Sequence, residues 1–279
     1  MIRSAIRERG SVPHSVGLLA RLICLCASVI SVTPLASRAE VRQLRVAAAA
    51  DLQWAMNDLA RQYESQTGTR VSVSYGSSGN FFSQIQNGAP FDLFLSADVG
   101  YPRRLEGAGL AEPASLFIYA QGQIVLWAPP SEKINIAKQQ WAALANDNVQ
   151  KIAIANPAHA PYGRAAVAAL QKAGIYPQVR DKLVYGENIA QAAQFVQSGN
   201  AQVGILAKSL ALSPALRAGQ LWEIPEGLYP PIEQAAIVLK HAANKDAADA
   251  FLRFLKSDAG RNILVRNGFV IPGAQLSGH

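Results

Sequence analysis

Residues 44–52 read Leu-Arg-Val-Ala-Ala-Ala-Ala-Asp-Leu, a short apolar run that passes directly into a helical pattern. The run at 44–49 has the length and composition of a buried strand. From Leu52, apolar residues recur every three or four positions until Gly68, which predicts an amphipathic helix ended by a glycine. A strand followed closely by a helix is the unit from which parallel α/β sheets are built.

The same unit recurs along most of the chain. Residues 71–75 alternate as a second strand, residues 91–95 predict a third, and Asp98 is placed to cap the segment that follows. Later strands are predicted at 123–127, 151–155, 183–185, 203–206 and 234–239, with helices opening at Tyr162 and Ile189 and closing helices that carry Phe251, Phe254 and Leu255. We therefore expect an α/β protein with two sets of strands, each flanked by helices.

Residues 1–39 have the three parts of a secretory signal peptide. Three arginines within the first nine residues precede an apolar run at 16–32, and small residues at 36–39 offer a cleavage site. The apolar run is too short and too interrupted to span a membrane well. We predict cleavage after Ala39, a periplasmic mature chain and no membrane insertion of that chain.

The composition excludes several classes of function. Cys24 and Cys26 both lie in the predicted signal peptide, so the mature chain has no disulfide, thiolate metal site or cysteine nucleophile. The net charge of +7 includes five Arg and one Glu from residues 1–39, and the remaining charge of about +3 forms no basic run that would bind nucleic acid. No phosphate-binding loop, nucleophile elbow or dinucleotide fingerprint is present, so we expect neither an enzyme nor a cofactor.

Four junctions, each between a predicted strand and a predicted helix, indicate where a ligand would bind. They are Ala50-Asp51, Ser77-Ser78-Gly79, Pro161-Tyr162-Gly163 and Asn188-Ile189. Ligands of open α/β sheets lie beyond the carboxyl ends of strands, where helix N-termini present unpaired N–H groups and a positive dipole end. Several such ends in one cleft predict a site for a small anion.

The side chains at these junctions allow more than one role. Ser78 can donate its hydroxyl to an anion or simply cap a helix. Tyr162 can present its hydroxyl or its N–H to the cleft, or pack in the core. Arg164 opposes the helix dipole from the first turn, so it faces a bound anion, an acidic neighbour or solvent.

Five stretches resemble the periplasmic molybdate-binding proteins of ABC importers, the ModA family. The stretches are 46–52, 75–79, 84–98, 161–163 and 203–205, so the resemblance spans nearly the whole mature chain. Its most specific part is Gly-Ala-Pro-Phe-Asp-Leu-Phe-Leu-Ser-Ala-Asp at 88–98.

The resemblance implies a type II periplasmic-binding fold, with lobe one at 40–120 plus 235–279, lobe two at 121–234 and a hinge between them. It implies a monomer that captures molybdate or tungstate and delivers it to an importer permease, with no bound cation. The ligand contacts that it implies are Asp51, Ser78, Tyr162 and Ile189, with Ala50, Ser77, Gly163 and Arg164 as secondary candidates.

Two positions depart from the family pattern. Asp51 stands where members usually carry serine or asparagine, and Ala207 stands where some carry a ligand-contacting tyrosine. A carboxylate repels a dianion, so we expect Asp51 to turn aside and cap the helix that starts at Leu52. Otherwise Asp51 is protonated, or the ligand is not a simple dianion.

The alternatives are a receptor for a different small anion, a ligand sensor without transport, and a receptor for a cation or metal chelate. The cation receptor would use Asp51, Asp98 and Glu187 as oxygen ligands.

Overall fold

The computed structural model describes residues 43–273 of the 279-residue chain. The predicted signal peptide and the cleavage site after Ala39 lie outside these residues. Within the described range, no helix has the length and apolar character needed to cross a membrane.

The described residues contain ten strands in two sheets of five. The strands are β1 (Gln43–Ala49), β2 (Arg70–Gly76), β3 (Leu93–Ser96), β4 (Phe117–Gly122), β5 (Ile124–Ala128), β6 (Ile152–Ala155), β7 (Leu183–Gly186), β8 (Val203–Ala207), β9 (Gln220–Glu223) and β10 (Ile232–Val238). The first sheet has the order β2-β1-β3-β10-β4, and the second has the order β7-β6-β8-β5-β9.

Both sheets mix parallel and antiparallel pairs. In the first sheet β1 runs parallel to β2 and β3, while β10 lies antiparallel between β3 and β4. In the second, β6 runs parallel to β7 and β8, while β5 lies antiparallel between β8 and β9. The prediction of an α/β fold with two helix-flanked sheets is confirmed.

Helices cover both sheets. They are α1 (Gln53–Thr67), α2 (Ser78–Gln86), α3 (Gly100–Gly107), α4 (Ile136–Gln139), α5 (Ala142–Ala145), α6 (Pro161–Lys172), α7 (Tyr176–Val179), α8 (Ile189–Gln197), α9 (Lys208–Ala211), α10 (Lys245–Lys256) and α11 (Asp258–Arg266). We call the first sheet with α1–α3, α10 and α11 half one, and the second sheet with α4–α9 half two. The chain enters half two after Gly122 and returns before Ile232, so it passes between the halves twice.

Local sequence explains most element bounds. The helix α1 ends at Gly68, which has the left-handed φ of 68° that glycine adopts without strain. It begins at Gln53, because residues 50–52 form a 3₁₀ turn first. The strand predicted at 91–95 is observed at Leu93–Ser96. Just before it, the buried Asp92 side chain accepts a hydrogen bond from the backbone N–H of Arg45 at 2.8 Å.

The apolar core lies on both sides of the first sheet and around the second. One cluster packs α1, α10 and α11 against one face of the first sheet, and a smaller cluster packs α2 and α3 against the other. The cluster of half two extends across to Ala49, the last residue of β1, and to Ala50 and Ala97, which follow β1 and β3. The halves therefore touch through small side chains at the carboxyl ends of these strands.

Candidate functional site

One small cavity lies at the carboxyl ends of β1, β2, β6 and β7, and the residues that follow these strands line it. Its volume is about 10 Å³, far below the range typical of pockets for drug-sized ligands. The lining residues are Ala49, Ala50, Asp51, Gly76, Ser77, Ser78, Ala97, Ala160, Pro161, Tyr162, Asn188 and Ile189. The four junctions noted in the sequence therefore meet at one place, between the two halves.

Two consecutive serines at the start of α2 have different roles. Ser77 is the N-cap, and its Oγ accepts a hydrogen bond from the N–H of Asn80 at 3.4 Å. Ser78 is fully buried, and its Oγ accepts a hydrogen bond from the N–H of Ala97 at 2.9 Å. The reading of Ser78 as the helix cap is wrong. Because Ser78 accepts from the backbone, its hydroxyl hydrogen remains available to an acceptor in the cavity.

The helices α6 and α8 bring two further N-termini to the cavity. Asn188 caps α8, with its Oδ1 accepting from the N–H groups of Ala190 at 3.0 Å and Gln191 at 3.1 Å. Ile189, the first residue of α8, keeps a backbone N–H that has no acceptor within the helix. Tyr162 is the second residue of α6, so its backbone N–H lies in the first turn and also has no acceptor within its helix.

Two glycines permit these close approaches. A Cβ on Gly163 would lie 2.1 Å from the carbonyl oxygen of Ala155, so only glycine lets α6 pack so tightly on β6. A Cβ on Gly79 would lie 2.6 Å from the carbonyl oxygen of His159, across the contact between the halves. Gly163 therefore has a packing role and does not line the cavity.

Asp51 is the acidic residue of the cavity wall. Its side chain is buried, and Oδ2 accepts hydrogen bonds from the Tyr162 hydroxyl at 2.9 Å and from Gln234 Nε2 at 2.5 Å. The start of α1 has no side-chain cap. The prediction that Asp51 caps this helix is therefore wrong, and its carboxylate instead joins half one to Tyr162 of half two.

Burial dominates the electrostatics of Asp51. Loss of solvent raises the pKa of the Asp51 carboxyl to about 6, although the hydrogen bonds from Gln234 and Tyr162 and the nearby backbone N–H groups of Asp51 and Leu52 act in the opposite direction. Its second oxygen, Oδ1, is buried and has no hydrogen-bond partner among the described residues. Burial also raises the pKa of the Tyr162 hydroxyl well above its usual value, and the neighbouring Asp51 adds to that shift.

Sequence reasoning missed two members of this arrangement. The Tyr119 hydroxyl donates to Gln234 Oε1 at 2.8 Å, and Gln234 Nε2 also donates to the Tyr162 hydroxyl at 2.9 Å. Gln234 begins a predicted apolar strand, and a lone amide in such a strand is the signal that would have indicated it. We call Asp51, Tyr119, Tyr162 and Gln234 the buried cluster.

Arg164 lies outside the cavity. Its Nη2 pairs with Asp98 Oδ2 at 2.5 Å, and its Nη1 donates to the Tyr101 hydroxyl at 3.3 Å. Asp98 and Tyr101 belong to half one, so this ion pair also joins the halves. Of the three sequence alternatives for Arg164, the structure shows an acidic neighbour. We call Asp98, Tyr101 and Arg164 the edge cluster. Asp98 and Arg164 line a separate, larger cavity together with Pro230 and Pro231.

The three carboxylates considered for a cation do not converge. Asp51 belongs to the buried cluster, Asp98 pairs with Arg164, and Glu187 Oε1 accepts from Asn80 Nδ2 at 2.5 Å and lies 3.5 Å from His159 Nε2. Within residues 43–273, no group of three potential ligands is arranged to hold a metal ion. The structure therefore offers no support for the cation receptor.

Two α/β halves that meet over a small cavity lined by hydrogen-bond donors define a solute-binding protein. Residues 44–270 match the family described as bacterial extracellular solute-binding protein, and the chain belongs to that family. Within it, the chain belongs to the ModA group of molybdate-binding proteins, as its curated relatives show.

The molybdate-binding protein ModA of Azotobacter vinelandii is 41% identical over 236 residues, which cover 84% of this chain and 92% of that protein. The ModA protein of Rhodobacter capsulatus is 38% identical, over 85% of this chain and 91% of its own length. The solved structure of the Azotobacter vinelandii periplasmic molybdate-binding protein superposes with a TM-score of 0.77 at 34% identity, and covers 82% of this chain and 99% of that chain.

These relatives are named as binding proteins, which confirms the expectation of a binding protein rather than an enzyme. The superposition also confirms the predicted type II periplasmic-binding fold.

Proposed function

We propose that the protein captures molybdate, with tungstate as a close competitor, outside the cytoplasm and delivers it to the permease of an ABC importer. The names of the ModA relatives support this ligand. The importer is supported by a solved structure that is 29% identical, with a TM-score of 0.63, and is named as the substrate binding domain of a putative molybdenum ABC transporter from Clostridium difficile. The proposal includes a periplasmic monomer released by cleavage after Ala39. Sequencing the N-terminus of the exported protein checks the cleavage site, since a chain that keeps residues 1–39 contradicts it.

The observation that carries the proposal is the neutral donor set of the cavity. The first turns of α2, α6 and α8 face it, Ser78 adds a hydroxyl, and no Lys or Arg is among the lining residues. Helix N-termini bind anions through oriented N–H groups and a positive dipole end, without a full countercharge. A small, dehydrated oxyanion fits that combination better than a cation or a large organic ligand.

The proposed ligand class is tested by thermal unfolding with a panel of molybdate, tungstate, sulfate, phosphate and ferric ion. A ligand that binds only the folded state at one hundred times its Kd adds about 2.7 kcal/mol to the free energy of unfolding. We expect molybdate and tungstate to raise the Tm strongly and phosphate hardly at all. A rise with ferric ion or phosphate, and none with molybdate or tungstate, would overturn the proposal.

Ser78→Ala tests whether the Ser78 hydroxyl donates to the anion. A lost hydrogen bond to a charged group costs about 1.5–3 kcal/mol, which predicts a molybdate affinity roughly 10- to 150-fold weaker by titration calorimetry. Ser83→Ala is the matched control, because Ser83 lies on the exposed side of the same helix and should leave the affinity unchanged. An unchanged affinity in Ser78→Ala would limit Ser78 to holding the N–H of Ala97.

Delivery to an importer is separated from ligand sensing by uptake measurements in cells. Deletion of the gene should abolish accumulation of molybdate at low external concentration. The wild-type gene should restore it. Unchanged uptake in the deletion strain, with molybdate binding intact in the purified protein, would favour a sensor.

A further inference from the structure

The Asp51 side chain holds a buried oxygen that the rest of the described chain does not satisfy. Its Oδ2 accepts two hydrogen bonds, while Oδ1 has no partner, and the side chain is only 1% exposed. Asp51 is also part of the cavity wall. Since Tyr162 and Gln234 occupy Oδ2, Oδ1 is the oxygen left to meet a ligand.

An ionised Oδ1 and a bound oxyanion would repel each other strongly in this buried place. A protonated carboxyl reverses the interaction, because its O–H donates to a ligand oxygen. The arrangement of donors determines where the proton resides. Two groups already donate to Oδ2, so the proton belongs on Oδ1.

No cationic side chain within the described residues offsets the charge of Asp51. Among the titratable side chains on the packed elements, only Tyr162 bonds to it; Arg45 pairs with Asp92, Arg164 with Asp98 and Lys208 with Glu223. The helix α8 carries no titratable residue. The titratable side chains on these elements are Arg45 on β1, Asp58, Arg61, Tyr63 and Glu64 on α1, Tyr119 on β4, Tyr162, Arg164 and Lys172 on α6, Lys208 on α9 and Glu233 on β10. Two more lie in loops nearby: His159, which contacts Ser77, and Tyr229, which acts on Tyr162.

We propose that this cavity takes up one proton with each oxyanion, held on Asp51 Oδ1 and donated to a ligand oxygen. The inference rests on the proposed function for the class of ligand. Above its pKa, the free protein carries an Asp51 carboxylate; the complex carries the carboxylic acid beside the intact dianion. Solvent supplies the proton, and no bond of the ligand breaks.

The direction of the pH dependence follows from this scheme. Burial places the pKa of Asp51 at about 6 in the free protein, and a bound dianion raises that pKa further. Below about pH 6, Asp51 is already protonated, so the affinity is constant. As the pH rises above that value, the affinity falls by up to about tenfold per pH unit, until the pKa of the complex is reached.

Titration calorimetry with molybdate tests the proposal directly. Measured at about pH 7.5 in buffers of different ionisation enthalpy, the wild type should take up close to one proton per molybdate. Asp51→Asn should take up none, and its affinity should stay constant from about pH 6 to pH 8.5. His159→Gln is the control for a titratable side chain just behind the cavity wall, since His159 Nδ1 lies 2.9 Å from Oγ of the lining residue Ser77. The variant should still take up one proton per molybdate.

The outcomes separate this inference from the proposed function. Molybdate binding by the wild type without proton uptake overturns the inference and leaves the function standing. Proton uptake that persists in Asp51→Asn assigns the proton elsewhere and also overturns it. Absence of molybdate binding at any pH overturns the function itself. If Asp51→Asn fails to fold, the buffer series on the wild type still shows whether a proton is taken up with molybdate.

Discussion

The buried cluster and the edge cluster both join half one to half two through an acidic residue of half one and a residue of α6. In the buried cluster, Asp51 meets Tyr162 and is 1% exposed. In the edge cluster, Asp98 meets Arg164, and the two side chains are 35% and 38% exposed. The edge cluster has the full opposite charges, while the buried cluster has one charge and neutral donors.

The difference between the two clusters shows that burial outweighs formal charge. Water screens an exposed ion pair, and such pairs contribute about 0–1 kcal/mol. A buried carboxylate without a cationic partner loses its hydration, so its protonation state changes its energy strongly. We therefore expect the buried cluster, in which Asp51 is the only carboxylate, to have the larger effect on stability and binding. The salt bridge between Asp98 and Arg164 should contribute little.

The largest effect is expected for Asp51→Asn in the protein without ligand. The pKa of Asp51 is raised from 3.8 to about 6 in the folded state, so the wild type loses stability as the pH rises from about 4 to 6. The shift corresponds to about 3 kcal/mol. An asparagine side chain does not ionise, so the stability of the variant relative to the wild type should improve by about 2–3 kcal/mol between pH 4 and pH 7.5.

Urea unfolding at the two pH values measures this change. Asp58→Asn is the matched control, because Asp58 lies on the exposed side of α1 with a side chain 44% exposed. Its stability relative to the wild type should be the same at both pH values. A parallel pH dependence in the wild type and Asp51→Asn would show that Asp51 is solvated and would remove the contrast between the clusters.

A smaller effect is expected for Gln234→Leu. The change removes one donor to Asp51 and the acceptor of the Tyr119 hydroxyl. Tyr162 still donates to Asp51, so the Tyr119 hydroxyl is the group that loses its short hydrogen bond. An unsatisfied buried group costs about 1–3 kcal/mol, and the free energy of unfolding should fall by about that amount. Because the Gln234 hydrogen bond lowers the pKa of Asp51, its loss should also move the pH-dependent loss of stability to higher pH. An unchanged unfolding curve would mean that water replaces the amide.

The smallest effect is expected for Asp98→Asn in the edge cluster. Removing an exposed ion pair should change the free energy of unfolding by less than about 1 kcal/mol. The change should be smaller still at high salt, which screens the pair. A loss of several kcal/mol would show that the edge cluster contributes as much to the free energy of unfolding as the buried cluster does.

The pattern of apolar residues along the sequence predicts most strands and helices, with errors of a few residues in their bounds. The strand predicted at 44–49 is observed as β1 at Gln43–Ala49, and the helix predicted to open at Tyr162 is α6 at Pro161–Lys172. The local signals here are strong: apolar runs of strand length, helical spacing and glycine stops. The strands β4 and β9 were not predicted, because their half-exposed, mixed residues carry no clear period.

The meeting of the four junctions could also be anticipated from the sequence. Ser78, Tyr162 and Ile189 each open a helix after a strand, and carboxyl ends of parallel strands share one edge of a sheet. The resemblance to the ModA family pointed to the same positions. These residues all line the cavity; their contact with the ligand stays a prediction.

The sequence by itself therefore determined the fold class, the family and the junctions at which a ligand would lie, because these depend on local periodicity and on contiguous motifs. Only the tertiary structure decided the surroundings of Asp51. The local pattern predicted that Asp51 caps a helix. Instead, its carboxylate accepts hydrogen bonds from Tyr162 and Gln234, which lie 111 and 183 residues away along the chain. No local pattern encodes such distant partners. The desolvation that raises the pKa of Asp51 arises only when the two halves close around it.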